Sequence, residues 1–212
     1  MKTLFIHAKA KADIKPVLSK VKIKGKIGLV SSIQYHHKLE EAQKIIKNSI
    51  IAGQVIGCDA SSCIKIKDKV DSFLFIGTGR FHPIEIAIKT KKPVYIADPV
   101  SNKFDKIQES EIKELENKLK GKLAKFYNAR KVGIIISEKP GQFHPKQYLN
   151  LKNKLALAKG IKEKINKETF IFISETLDEK QLENFPDIDI WINTACPRIE
   201  FKNVISLQDL KL

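Results

Sequence analysis

Ser72-Phe73-Leu74-Phe75-Ile76-Gly77-Thr78-Gly79-Arg80-Phe81-His82-Pro83 reads as a strand, a glycine-bounded turn and the opening of a helix. The run over 72–77 is apolar and aromatic without alternation, which is the pattern of a strand covered on both faces. Pro83 suits the first position of a helix over 84–90, because a helix leaves its first amides unbonded and proline has none to lose. An apolar strand feeding a helix is half of a βαβ unit, whose crossover is right-handed and whose sheet is parallel. The same reading extends outward in both directions. Strands are expected over 3–7, 26–31, 54–57, 93–98, 131–137, 169–174 and 188–194, with helices over 37–50, 111–126 and 147–165. Alternating strands and helices define the fold class as α/β, built on all-parallel sheets.

At 212 residues the chain is long for one domain and comfortable for two. A boundary is expected near Tyr127-Asn128-Ala129-Arg130, after a charged helix in which Glu114/Lys118 and Glu116/Lys120 are spaced four apart in the favourable order. This gives two small Rossmann-like domains, 1–128 and 129–212, each a parallel sheet with flanking helices. A coarse echo links them: in both, a strand ends in Gly or Ser, then comes a polar loop and then a helix.

Composition narrows the function classes. With 42% hydrophobic and 30% charged residues the chain can bury a core, and no apolar run approaches the roughly 20 residues of a membrane span. The start, Met1-Lys2-Thr3-Leu4-Phe5-Ile6-His7, lacks the features of a signal peptide, so a cytoplasmic location is expected. The net charge of +15 would ordinarily suggest nucleic acid. The lysines are dispersed, however, and no aromatic-basic signature of an RNA-binding module is present. A lysine-coated surface is the favoured reading and an acidic macromolecular partner the lesser one. Only three arginines occur, Arg80, Arg130 and Arg198, so a planar bidentate fork was kept where lysine predominates.

In parallel α/β sheets ligands bind outside the carboxyl ends of the strands. Four such ends carry unusual residues: Gly57-Cys58 to Cys63, Gly77-Thr78-Gly79-Arg80-Phe81-His82, Lys139-Pro140-Gly141-Gln142, and Asn193-Thr194-Ala195-Cys196-Pro197-Arg198. Each alone has an ordinary explanation. A strand-end cysteine is more often a small buried hydrophobe, and Gly77-Thr78-Gly79 lacks the third glycine of a dinucleotide fingerprint. The helix after Gly79 nonetheless offers amides to an anion, with Arg80 and His82 alongside. The set Cys58, Cys63 and Cys196 is odd and sparse, which argues against a disulfide framework. Structural zinc is disfavoured because the usual paired cysteines are absent. Cys58 and Cys196 are expected to face an interdomain cleft, where thiolates distant in sequence could hold an iron–sulfur cluster. His7, His36 and His37 show no ligand spacing, and Trp191 reads as core.

These segments, together with Lys92-Pro93-Val94-Tyr95-Ile96-Ala97-Asp98-Pro99 and Gly133-Ile134-Ile135-Ile136, stand in an order that resembles the diphthamide-synthesis radical S-adenosylmethionine family. Those are the 2-(3-amino-3-carboxypropyl)histidine synthases of archaea and eukaryotes. The resemblance implies a transferase with a 4Fe-4S cluster held by one cysteine from each of three related domains. Such enzymes cleave S-adenosylmethionine reductively, and a 3-amino-3-carboxypropyl radical adds to a histidine of translation elongation factor 2. By motif, Cys58 and Cys196 match the cluster cysteines of the middle and last domains. Gly77, Gly79, Arg80 and His82, with Lys139, Gly141 and Gln142, match segments that face the cofactor; Arg80 and the amides near Gly79 are expected to meet a carboxylate or other anionic group of the ligand.

The family's first domain, with its cluster cysteine, has no counterpart in the sequence, and Cys63 is left over. Three explanations follow: a separate chain supplies the missing domain, Cys63 is the third ligand, or the chain is a non-catalytic scaffold or binding subunit. The first is favoured, with homo- or hetero-dimerisation left open. A basic nucleotide- or nucleic-acid-binding α/β module without a cluster is the rival from another class.

Overall fold

The computed structural model describes residues 4, 6–57, 59–139, 151–197 and 199–210, and the chain divides into two compact units, Met1–Glu114 and Leu115–Leu212. The first contains α1 (Lys15–Leu18), β1 (Ile27–Ser31), a 3-10 turn (Ile33–Lys38), α2 (Leu39–Ile45), β2 (Ser49–Gln54), α3 (Ser61–Ile64), β3 (Ser72–Ile76), α4 (Phe81–Thr90), β4 (Val94–Asp98) and β5 (Lys103–Lys106). Helix α5 (Glu109–Asn128) follows. The second contains β6 (Lys131–Ser137), α6 (Leu151–Lys164), β7 (Glu168–Ser174), α7 (Glu179–Leu182), β8 (Ile190–Asn193) and β9 (Val204–Ser206).

The unalternating runs are central strands, as their composition requires. Val30, Phe73 and Phe75 bury one face of the first sheet against Ile86, Ala87 and Cys63. Leu29, Leu74 and Ile76 bury the other against Val17, Leu18, Tyr35 and Leu39. In the second unit Val132, Ile134, Ile136 and Ile192 pack on Ala158, Ile161 and Phe126, while Ile135 and Trp191 fill the opposite face with Phe172. Two layers of apolar cover leave these strands no solvent-facing side to carry polar residues.

Strand order is β2-β1-β3-β4-β5 in one sheet and β7-β6-β8-β9 in the other. The first four strands of each unit therefore share one order, and all are parallel. The echo between the halves is a repeated topology. In both, the chain starts in an inner strand and winds outward to either side, so the winding reverses between β1 and β3 and between β6 and β8.

Four expectations are corrected. The first sheet is not all-parallel: β5 returns antiparallel to β4. Asp98 closes that hairpin by accepting the amides of Val100 and Ser101, and Asn102 takes a left-handed φ of 51°. The strand expected over 54–57 ends where it was to begin, at Gln54, because the partners of β1 are Ser49 to Ile51 and then, past an irregularity, Gly53 and Gln54. Of the strand expected over 3–7, the described residues Leu4, Ile6 and His7 are not in a strand and Leu4 and Ile6 are exposed, while Thr3 and Phe5 lie outside the described residues. Pro83 is the third residue of α4 rather than the first, which costs nothing because that amide also has no intrahelical acceptor.

The division between units falls inside α5, not after it. Ile112 packs on the first unit's core, whereas Leu119, Leu123 and Phe126 belong to the second's. Among the described residues no helix is long and apolar enough to cross a membrane.

Candidate functional site

Strand order alone places the candidate crevices. In an open α/β sheet, ligands sit beyond the carboxyl ends of the strands where winding reverses. In the first unit that point lies between Ser31 of β1 and Ile76 of β3, which are register partners. The chain leaving β3 there is Gly77-Thr78-Gly79, with Gly77 buried and Thr78 and Gly79 exposed. Gly79 has a φ of 76°, and open space lies where a Cβ would project, so the glycine serves the turn rather than a tight contact. A groove of about 310 Å³ opens beside this loop, lined by Lys9, Ala10, Gln34, Tyr35 and Thr78 among others.

The segment before position 58 meets the same loop. Phe81 lies so closely over Gly57 that a Cβ there would come within 1.6 Å of the ring, so any larger residue must displace that ring. Ile56 and Asp59 exchange two backbone hydrogen bonds across the turn. Cys58 itself lies outside the described residues, as do Gly141, Gln142 and Arg198. His82 is half-buried, its ring stacked on Phe75 at 5.6 Å and edge-on to Phe81 at 5.2 Å. It is a packing element of the loop.

Arg80 is turned away from the role expected of it. Its Nε and Nη2 donate to the two carboxylate oxygens of Glu111 at 2.6 Å each, Nη2 also donates to the Lys106 carbonyl at 2.9 Å, and Nη1 donates to Asp105. The bidentate fork expected to meet a ligand carboxylate is closed on a carboxylate of the chain itself. Arg80 thereby ties the Gly77–Gly79 turn to β5 and to the first turn of α5. Glu111 and Asp105 carried no sequence signal for this, since each lies in a lysine-rich stretch where a charge reads as solvated.

These bonds make stability depend on pH. Arg80 is held above its ordinary value, first by the hydrogen bonds to Glu111. The Glu111 carboxyl is depressed chiefly by Arg80, and that of Asp105 by the Lys106 amide and then Arg80. A depressed carboxyl stabilises the fold above its unfolded pKa, about 4, and the contribution is lost as pH falls through the lower folded value. Arg80→Met is therefore expected to cost about 1 kcal/mol at neutral pH, a figure already reduced for solvent screening because Arg80 is 36% and Asp105 56% exposed. In urea titrations the gap between variant and parent should close in acid. A gap of equal size at neutral and acid pH would remove the ion pairs as its cause.

Cys63 is placed unfavourably for a ligand. It is fully buried in the first core, next to Val30, Phe75 and Ile86, and its thiol is pushed up to about 12, mainly by burial. A metal ligand must be a thiolate, and this sulfur has only the Ser62 hydroxyl nearby, at 4.0 Å. The ordinary reading of a strand-end cysteine as a small hydrophobe applies here.

Cys196 differs. It follows β8 at the reversal point of the second sheet and is half-buried. The Thr194 amide and hydroxyl both donate to the Ile135 carbonyl of β6, at 3.2 and 2.7 Å. Next door, β6 ends at Ser137, whose hydroxyl accepts the amide of exposed Lys139 and whose carbonyl accepts the buried Lys154 ammonium. Neither Asn193, described below, nor Lys154 was singled out in the sequence, because an asparagine before a turn and a lysine on a helix are unremarkable without the fold. Among the described residues no three His, Cys, Asp or Glu side chains gather as a metal site. A group drawing single thiolates from separate places in the chain leaves no such cluster in either unit.

The sequence profile of the diphthamide synthesis protein family matches residues 1–205. The chain is similar to 2-(3-amino-3-carboxypropyl)histidine synthase of Methanocaldococcus jannaschii, 32% identical over a match covering 97% of this chain and 58% of that protein. It is similar to subunit 1 of the synthase of that name from Schizosaccharomyces pombe, at 28% identity over 94% of this chain and 48% of the other. Crystal structures of Dph2 from Pyrococcus horikoshii, one of them with a 4Fe-4S cluster, superpose with a TM-score of 0.76 at 26% identity, over 95% of this chain and 62% of theirs. The chain thus spans between 48 and 62% of the length of these relatives.

Proposed function

The chain belongs to the diphthamide synthesis protein family, and from that premise we propose that it is part of a 2-(3-amino-3-carboxypropyl)histidine synthase. Its reaction would transfer the 3-amino-3-carboxypropyl group of S-adenosylmethionine to a histidine of translation elongation factor 2. The observation that carries this reading is the contrast between two cysteines: Cys63 is sealed in a core, while Cys196 stands on a pinned turn at the carboxyl edge of its sheet.

The donor set fits an iron–sulfur cluster bound in part by this chain. Cys196 and Cys58 would be its thiolates, and the burial of Cys63 supports leaving it out. By that count a third thiolate comes from outside these 212 residues, on a further chain or a further stretch of this one. When bound and reduced, the cluster supplies the electron that breaks a carbon–sulfur bond of S-adenosylmethionine. The polypeptide's own work is binding and orientation. The exposed turn at Thr78 and Gly79 presents backbone to the anionic end of the cofactor, now without the Arg80 fork, which holds the turn from behind. Lys139 at the exit of β6 is a further candidate contact for the cofactor; Gly141 and Gln142 remain candidates by motif alone.

Anaerobic reconstitution with iron and sulfide, carried out together with the chain or stretch that supplies the third thiolate, tests the reading. The expected product is brown, with the broad visible absorption of a thiolate-ligated cluster. With reductant, S-adenosylmethionine and elongation factor 2, and with the chain that supplies the third thiolate, methylthioadenosine is released and the factor gains the mass of one 3-amino-3-carboxypropyl group on histidine. A colourless protein that binds iron no better than a cysteine-free variant would overturn it.

A further inference from the structure

We propose that Asn193 is the residue that positions Cys196 as a metal ligand, an inference that rests on the reading of Cys196 as a cluster thiolate. Asn193 is the last residue of β8, register-paired with Ile135 of β6 and Ser206 of β9, and 1% exposed. Both polar atoms of its side chain are spent on the turn that follows. Oδ1 accepts the Ala195 amide at 2.8 Å, and Nδ2 donates to the carbonyl of Cys196 itself at 2.7 Å. That carbonyl also accepts the Ile199 amide at 3.1 Å.

The first of these bonds is what any strand-terminating asparagine makes, and it would satisfy a merely structural role. The second reaches the cysteine. With Thr194 anchored to β6 by its amide and hydroxyl, and with Pro197 fixing φ immediately after, the Cys196 backbone is held from both sides. Only rotation about its Cα–Cβ bond is then left to aim the sulfur. Metal ligands are regularly oriented by such outer partners, which lower the ordering cost of ligation. Asparagine suits the position because one short side chain ends in both an acceptor and a donor. An aspartate keeps the acceptor but would set a second carboxylate oxygen against the Cys196 carbonyl.

The test uses the full chain reconstituted as above. Asn193→Ser keeps a hydroxyl able to accept the Ala195 amide but is too short to reach the Cys196 carbonyl. Thr194→Val is the comparison for stability: it removes one anchor of the same turn to β6 but leaves the Asn193 bond to the Cys196 carbonyl in place. Asn193→Ser is expected to hold iron against a chelator roughly 10- to 100-fold less well than the parent. It should also alter the electron paramagnetic resonance spectrum of the reduced cluster, while the metal-free protein unfolds like Thr194→Val by Trp191 fluorescence. Parental iron retention and an unchanged spectrum in Asn193→Ser overturn the proposal. Should Asn193→Ser fail to fold, Asn193→Asp gives the same readouts, and a parental spectrum there overturns it too. Cys196→Ser separates the two levels of the argument. If that variant keeps the parental cluster, the ligand reading itself has failed and the positioning role falls with it.

Discussion

Reconstituted together with the source of the third thiolate, Cys196→Ser is expected to abolish cluster binding, and Cys58→Ser to do the same, whereas Cys63→Ala keeps the colour and the iron count of the parent. The effect is all-or-none because a cluster short of one thiolate is labile, and a serine hydroxyl does not ionise in this range to replace it. Cys63 lies on the other side of the argument: 0% exposed, its thiol pushed up to about 12, it is lost from the core rather than from a metal. Its replacement should cost about 1 kcal/mol of stability as a small cavity opens among Val30, Phe75 and Ile86. Iron and sulfide analysis of the three variants decides the matter. If Cys63→Ala bleaches the protein as fully as Cys196→Ser, the buried cysteine is a ligand in a rearranged state and the assignment made here is wrong.

Trp191→Ala is expected to destabilise the second unit by about 3–5 kcal/mol, the range for truncating a buried tryptophan. The ring is 3% exposed and packs edge-on to Phe172 at 4.6 Å and Phe185 at 5.9 Å, with Ile135 and Val204 in the same cluster. It fills the smaller of the two layers that cover the second sheet, where few other residues can collapse into the space. Because β8 carries both Trp191 and Asn193, the loss should also loosen the Cys196 turn. Urea unfolding followed by circular dichroism measures the change; a loss below about 1 kcal/mol would show that Phe172 and Phe185 close over the gap.

Legibility followed burial. The strand over 131–137 matched its expected bounds, and 72–77 differed by one residue, because strands covered on both faces must be apolar throughout and nothing else in the chain looks like them. The edge elements were not legible. Strand β5, Lys103–Lys106, carries two lysines and an aspartate, reads as loop, and pairs only because Asp98 and Asn102 reverse the chain beside β4. The helix expected over 37–50 became a 3-10 turn and a short α-helix, its last residues drawn off into β2. Arg80 shows the limit most clearly. Its fork was expected to meet an anionic group of a ligand; in the structure it is closed on Glu111, thirty-one residues further along the chain, a partner that the sequence does not point to.

The sequence by itself determined the α/β class, the family and the cysteines worth weighing, because strand burial leaves a periodicity and the motifs stand in a readable order. Only the tertiary structure set the burial of Cys63 apart from that of Cys196. Cys63 and Cys196 each sit beside small or polar residues at the end of an apolar run and look alike in one dimension. Exposure separates them, and exposure belongs to the packing: α3 turns Cys63 into the layer between sheet and helices, while Asn193 and Thr194 hold Cys196 at the open edge. A side chain's partners come from elements distant in the sequence, so its chemistry is settled when those elements meet.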